Sequence, residues 1–445
     1  MTGLTLRNAR LLPMHGPEIE HGWLTITGDT ITAIGPGDPP DDPTGGPSED
    51  MGGDLVMPGM VNPHGHLPMT LFRGLAEEVD DRLFRYILPL ERACVTEDVV
   101  RIGTRLALLE SIRCGVTTVA DMYYFENAIA EEIEVSGLRG VPGQTIATFD
   151  APDHADLDAG FARASALAER WADHPLVTPS IAPHAPYSTG PDTLRRVADW
   201  TDAHPGLPIQ MHLAETSDEV AWAARQHGCS TVRIVDDAGL LRPGLVAAHC
   251  IYLTEADRDL LAMRGVGIAH CPRANGKGGR PVAPVTALRE RGVPVALATD
   301  GAMSGNTLDL FSQFAPATIA QKIATGTRAA LPPRDVIAMA TTEGARVLGL
   351  DDRIGKLVPG YRADLIRVSL ADPRQQPIYD LFATLVFSTL PSDVRGTMVA
   401  GRWLMKDGAM TGMEPARILS DARQTAHTFR ARIVEIDRVT NGVTP

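Results

Sequence analysis

The chain has 445 residues, more than one compact domain usually holds, so a large catalytic unit with a smaller module is expected. Asp and Glu (55) outnumber Lys and Arg (41), giving a formal charge of -14 with no basic block, which argues against nucleic acid or an anionic membrane as partner. The five cysteines form no CxxC pair, no apolar run reaches membrane-spanning length and the N-terminus lacks a basic, apolar leader, so the expectation is a cytoplasmic chain.

Residues 3 to 35 alternate as short strands around Leu4, Leu6, Leu24, Ile26 and Ile31, separated by Gly and Pro turns, and predict a small β module. Residues 35 to 53 are rich in Pro, Gly and Asp and predict an exposed loop. From Leu55 the pattern becomes strand and helix in repetition. An apolar run ends at Asn62, and strand-like runs recur at 116–120, 139–145, 176–182, 208–213, 245–249, 267–270 and 293–298. Helical stretches are read at 81–90, 97–114, 157–171, 192–203 and 217–226. Eight buried strands alternating with helices favour a (β/α)8 TIM-like barrel. Residues 363–368 and 394–405 return to short alternating strands that pair with the N-terminal module, so both chain ends build one small β-sandwich domain. The domains are read as 1–56 and 355–412 for the sandwich, 57–354 for the barrel and 413–445 for a C-terminal amphipathic helix.

Polar, titratable residues follow these apolar runs one after another: His64 and His66, His184, His212 with Glu215, His249, His270 and Asp300. In a barrel all C-terminal strand ends face one mouth, so residues distant in sequence gather there. His64 and His66 stand at i and i+2 of an extended segment, with side chains on one side. Three imidazoles (His64, His66, His212) and one carboxylate (Asp300) make a nitrogen and oxygen set suited to zinc, with ferrous iron the alternative. Glu215, three residues past His212, is placed for proton transfer, against the simpler role of a first-turn helix acid. His270 alone reads as a histidine hydrogen-bonded in a loop. The first lysine is Lys277, so no earlier strand offers a lysine to bridge two cations, and a mononuclear site follows.

The segments Pro58-Gly59-Met60-Val61-Asn62-Pro63-His64-Gly65-His66, His212-Leu213-Ala214-Glu215, Ala248-His249-Cys250, His270-Cys271-Pro272-Arg273-Ala274-Asn275 and Thr299-Asp300-Gly301-Ala302 together resemble the amidohydrolase superfamily. The likeness lies in its branch of cytosine/adenosine-type deaminases and triazine hydrolases. It is strongest to the methylthioadenosine/S-adenosylhomocysteine deaminases and covers nearly the whole chain. The resemblance implies metal ligands His64, His66, His212 and Asp300. It also implies Glu215 as the acid protonating a ring nitrogen, His249 as the group that orients or deprotonates water or else an extra ligand, and Asp300 as proton carrier to the leaving group. Pro89-Leu90-Glu91 resembles the motif that contacts sugar hydroxyls, and His184 and Ser304 fall on substrate-contacting positions. For Glu91, a solvated carboxylate at a helix end is the competing reading.

The implied activity is release of ammonia from an aminated purine nucleoside. Hydrolysis of another heterocycle (triazine, guanine, pterin or cytosine-like) is the alternative, and a non-catalytic scaffold is the contrasting class. The base-stacking tryptophan of that group is missing from Arg82-Leu83-Phe84-Arg85-Tyr86, where Phe84 or Tyr86 is the substitute, and Arg280 reads as a solvated surface charge, with a positive charge for an acidic substrate as the alternative. A homo-oligomer acting on a small heterocyclic molecule is expected.

Overall fold

A computed structural model describes residues 3–40 and 45–440; parts of the predicted loop at 35–53 and of the segment 413–445 lie outside the described residues. Eight parallel strands form the barrel sheet: Met60–Asn62, Val116–Tyr123, Arg139–Ile146, Ser180–Pro183, Ile209–Leu213, Leu245–His249, Gly267–His270 and Val295–Leu297. Every residue of these strands is buried, which is why they read as near-continuous apolar runs rather than as alternation. The first and eighth strands meet through side chains. Asn62 Nδ2 donates to Thr299 Oγ1 at 2.8 Å, and Asn62 Oδ1 accepts from the Thr299 N–H at 3.1 Å.

The run that reads as one strand from Leu55 to Asn62 is two. Leu55–Pro58 belongs to a separate nine-stranded mixed sheet and Met60–Asn62 to the barrel. The crossing falls at Gly59, where a Cβ would stand 2.1 Å from Thr117 Oγ1, so only glycine fits. The mixed sheet joins the two chain ends: Leu365–Val368 pairs antiparallel with Leu55–Pro58, which pairs parallel with Gly3–Leu11. Its core includes Leu6, Leu24, Ile26, Val56, Leu365 and Met398. The stretch predicted as an open loop contributes a strand, Ser48–Asp50, paired with Thr5–Arg7; three residues are too short to show a periodic pattern. A buried ion pair ties this sheet to the barrel, with Arg139 Nε donating to Asp364 Oδ2 at 2.9 Å. Losing one partner of such a pair costs about 3–5 kcal/mol.

The C-terminal helix, Pro415–Thr440, packs on the barrel's own helix Glu97–Arg113. Phe429 meets Phe72 with ring centroids 4.9 Å apart, and burial of such a side chain contributes about 1.5–3 kcal/mol. Among the described residues no helix is long and apolar enough to cross a membrane.

Candidate metal centre and substrate cavity

The strand ends aim their polar residues into one mouth. His64 and His66 follow Met60–Asn62, His212 lies within Ile209–Leu213, His249 ends Leu245–His249, and Asp300 follows Val295–Leu297. Three exits turn through left-handed backbone at non-glycine residues: Ala214 (φ 51°), His249 (φ 72°) and Asp300 (φ 62°). Such conformations persist where surrounding structure over-determines them, and here all three lie at the converging site.

The histidine tautomers follow from fixed acceptors. The His66 Nδ1–H donates to the Met122 carbonyl at 2.7 Å and the His212 Nδ1–H to the His184 carbonyl at 2.9 Å. In the neutral rings, both Nε2 atoms are then lone-pair acceptors, yet they face each other at 3.3 Å. One ligand atom from each of His64, His66 and His212 lies within 4.8 Å of the others, and the same holds for His64, His249 and Asp300. His64 Nε2 and His249 Nε2 are buried without any hydrogen-bond partner in the protein. Converging lone pairs with a carboxylate beside them call for a cation, and this donor set fits a divalent metal of the zinc type. Burial opposes charge on His66, but Asp300, with Oδ1 3.3 Å from its Nε2, raises it to about 9. Burial also disfavours the Asp300 carboxylate, yet His66 and the neighbouring imidazoles hold it well below the usual carboxylate range.

His249 is oriented by a residue to which the sequence reading attached no role. Its Nδ1–H donates to Asn275 Oδ1 at 2.9 Å, leaving Nε2 to face Glu215, whose Oε1 is 3.6 Å away. Asn275 was visible within the motif beginning at His270, but only the fold reveals what it holds. His270 differs from its expected place. It is the last residue of a barrel strand rather than a loop residue, and neither ring nitrogen has a protein partner. Burial lowers its pKa to about 3, so it stays neutral.

A cavity of about 530 Å³ opens over this centre, lined among others by His66, His212, Glu215 and Asp300, with His64 and His249 buried behind them. Glu91, His184 and Ser304 all line it. Glu91 is buried, not a solvated helix-end carboxylate: Tyr123 Oη donates to its Oε1 at 2.7 Å, and burial raises its pKa to about 7. His184 shares a 2.7 Å hydrogen bond with Ser188 Oγ and packs edge-on to Phe149 at 5.4 Å. Arg280 is not a solvated charge either; its Nη1 lies 2.9 Å from Glu215 Oε1 at the cavity wall. The glycine-rich loop Gly278-Gly279 lets the chain turn back far enough to deliver it, with Gly279 at φ 66°. Neither aromatic residue proposed for stacking reaches the cavity. Phe84 is 70% exposed, and Tyr86 donates its O–H to Asp437 Oδ1 at 2.6 Å; of the π-helix Leu83–Ile87, it is Leu83 and Ile87 that line the cavity. The rings at the cavity are Tyr123, Tyr124, Phe149 and Tyr187.

An amidohydrolase family model matches residues 55–404. A 5-methylthioadenosine/S-adenosylhomocysteine deaminase from Syntrophobacter fumaroxidans is 39% identical over 432 residues, 96% of this chain and 98% of its own. A 5'-deoxyadenosine deaminase from Methanosarcina mazei is 35% identical over 97% of this chain and its full length. The crystal structure of an adenosine deaminase from Xanthomonas campestris with bound zinc superposes with a TM-score of 0.93 at 32% identity, covering 97% of this chain and 99% of that one. With a family match running through the barrel and into the closing strands of the mixed sheet, this chain belongs to the amidohydrolase family.

Proposed function

We propose that this protein is a metal-dependent hydrolytic deaminase that releases ammonia from an aminated purine nucleoside of the adenosine, methylthioadenosine or S-adenosylhomocysteine type. The observation that carries the reading is the convergence of the His64, His66 and His212 ligand atoms within 4.8 Å, beside a carboxylate, Glu215, that faces the same cavity. The relatives that match almost end to end, and are named for such nucleosides, support the substrate class.

His64, His66, His212 and Asp300 would hold one divalent cation, zinc being favoured by the donor set and by the zinc-bound neighbour. Such a cation lowers the pKa of a bound water towards about 7 and so supplies hydroxide at neutral pH. The protein's residues do the rest. Glu215, ionised at rest, takes the proton of the attacking water and gives it to the ring nitrogen next to the amino-bearing carbon, making that carbon more electrophilic. His249, fixed by Asn275, presents Nε2 as an acceptor that orients the water. Asp300 takes the second proton of the added water and passes it to the departing amine, which leaves as ammonia. Glu91 takes the sugar hydroxyls, and His184 and Ser304 contact the substrate from the same cavity. The five cysteines are unpaired, which supports a cytoplasmic placement.

An ammonia-release screen across adenosine, methylthioadenosine, S-adenosylhomocysteine, 5'-deoxyadenosine, guanine, pterins and triazines tests the reading. Turnover of nucleosides by zinc-loaded protein is the expected result. Turnover confined to non-nucleosides removes the substrate assignment, and no turnover of anything favours the scaffold.

A further inference from the structure

Glu219 has no part in the chemistry above, yet both its carboxylate oxygens turn onto the backbone that carries Glu215. It is the third residue of the helix Ser217–His227, whose N-cap is Thr216. An acid at this position usually turns back to the N-cap N–H, closing a capping box. Here the Thr216 N–H does act on it, but the carboxylate also reaches further back. Oε1 accepts the Ala214 N–H at 2.9 Å and Oε2 accepts the Glu215 N–H at 2.8 Å. Ala214 needs such a hold, since it is fully buried in the left-handed conformation at φ 51°, a region that favours glycine. The carbonyl of Ala214 is pinned from the other side by the N–H groups of Ile251 and Tyr252, both at 3.0 Å. The main chain entering Glu215 is therefore clamped at both faces, and Glu219 itself is 2% exposed.

We infer that Glu219 is a positioning residue for Glu215: its two carboxylate oxygens hold the Ala214 and Glu215 amides so that the Glu215 carboxylate stays between His249 and Arg280. This rests on the proton-transfer role proposed for Glu215. A merely structural cap would lower stability and activity whatever residue stood at 215. A clamp acting through Glu215 matters to turnover only while the Glu215 carboxylate is there to be positioned.

The experiment is a double-mutant cycle on zinc-loaded, full-length protein, with kcat, KM, bound zinc and thermal midpoint measured for each member. Glu219→Gln keeps the length but loses one acceptor oxygen, and Glu219→Asp keeps the charge but falls one methylene short. In the parent each is expected to lower kcat by on the order of 30-fold, with KM within about threefold and zinc content unchanged. In a Glu215→Gln background each is expected to lower the residual kcat by less than about threefold. If Glu219→Gln does not fold, Glu219→Asp carries the test alone, because the first-turn charge and the Thr216 cap remain. Equal fold-losses in both backgrounds, or an unimpaired kcat in the parent, overturn the inference. A wild-type rate for Glu215→Gln alone overturns the role of Glu215 itself, a separate result that removes what the clamp would serve.

Discussion

Oε1 of Glu215 stands between Arg280 and His249, 2.9 Å from Arg280 Nη1 and 3.6 Å from His249 Nε2. Burial alone would raise the Glu215 pKa, but His249, His212 and Arg280 together lower it. The guanidinium favours the ionised carboxylate, so its removal raises the pKa, and the form able to accept a proton is lost at a higher pH. Arg280→Met is therefore expected to shift the acid limb of kcat/KM to higher pH, with Arg280→Lys shifting it less. The pH–rate profile of ammonia release checks this, and an acid limb that stays in place separates Arg280 from the ionisation of Glu215.

Glu215→Gln and Asp300→Asn each remove a proton carrier while keeping shape. Both are expected to fold and to lose about 10²- to 10⁴-fold in kcat. They part company on metal: Glu215→Gln keeps its zinc, whereas Asp300→Asn binds less, because Asp300 supplies the only carboxylate among the grouped ligand candidates of the described residues. Elemental analysis beside the rate assay distinguishes the two, and a Glu215→Gln variant that turns over at the parent rate would sink the mechanism.

Much of this centre was legible before the fold. His64, His66, His212, Glu215, His249 and Asp300 each follow an apolar run, and a parallel barrel sends all such exits to one end. What the pattern of residues could not carry is the layer that holds them. Asn275 and Glu219 act on partners 26 and four to five residues away through single hydrogen bonds, which leave no periodicity. Arg280 looked solvated because a charge in a glycine-rich loop usually is; its partner, Glu215, is 65 residues earlier and on a different strand exit. The segment before Glu91 misled for a local reason. Leu83 and Ile87, one helical turn apart, share the face that lines the cavity, so Phe84 and Tyr86 between them point elsewhere.

Asn275 holds His249 in one tautomer through its Oδ1. Asn275→Leu removes that acceptor at similar volume and frees the imidazole to turn or change tautomer. A loss of about 10- to 100-fold in kcat is expected, with the thermal midpoint nearly unchanged. Asn275→Asp, which keeps an acceptor oxygen, is expected to retain more activity than Asn275→Leu. The reverse order would show that His249 does not depend on that hydrogen bond.

Asn62 joins the first and eighth barrel strands by two side-chain hydrogen bonds to Thr299, one residue before Asp300. Asn62→Ala leaves the Thr299 N–H buried without that acceptor, costing about 2–3 kcal/mol of stability. The seam is also the backbone that places a proposed metal ligand, so weaker zinc binding should accompany the lower thermal midpoint. Titration of the apoprotein with zinc separates the two effects: loss of stability with unchanged zinc affinity would make the seam structural only.

Glu91 supplies a pH dependence whose sign can be worked out. Burial raises its pKa from an ordinary 4.5 to about 7. The native state then holds the proton more tightly than the unfolded chain between these values. Stability contributed by this group is present below about 4.5 and is lost as the pH rises through about 7, by on the order of 3 kcal/mol over the full span. Glu91→Gln keeps an acceptor for the Tyr123 O–H and removes the buried charge, so it is expected to raise the thermal midpoint at about pH 8 and change it little at about pH 5. The same variant loses the carboxylate proposed to take the sugar hydroxyls, and KM for a nucleoside should rise by about 10- to 100-fold, the worth of a hydrogen bond to a charged group. Identical pH responses of variant and parent would remove Glu91 as a source of pH-dependent stability, and an unchanged KM would remove it from the sugar.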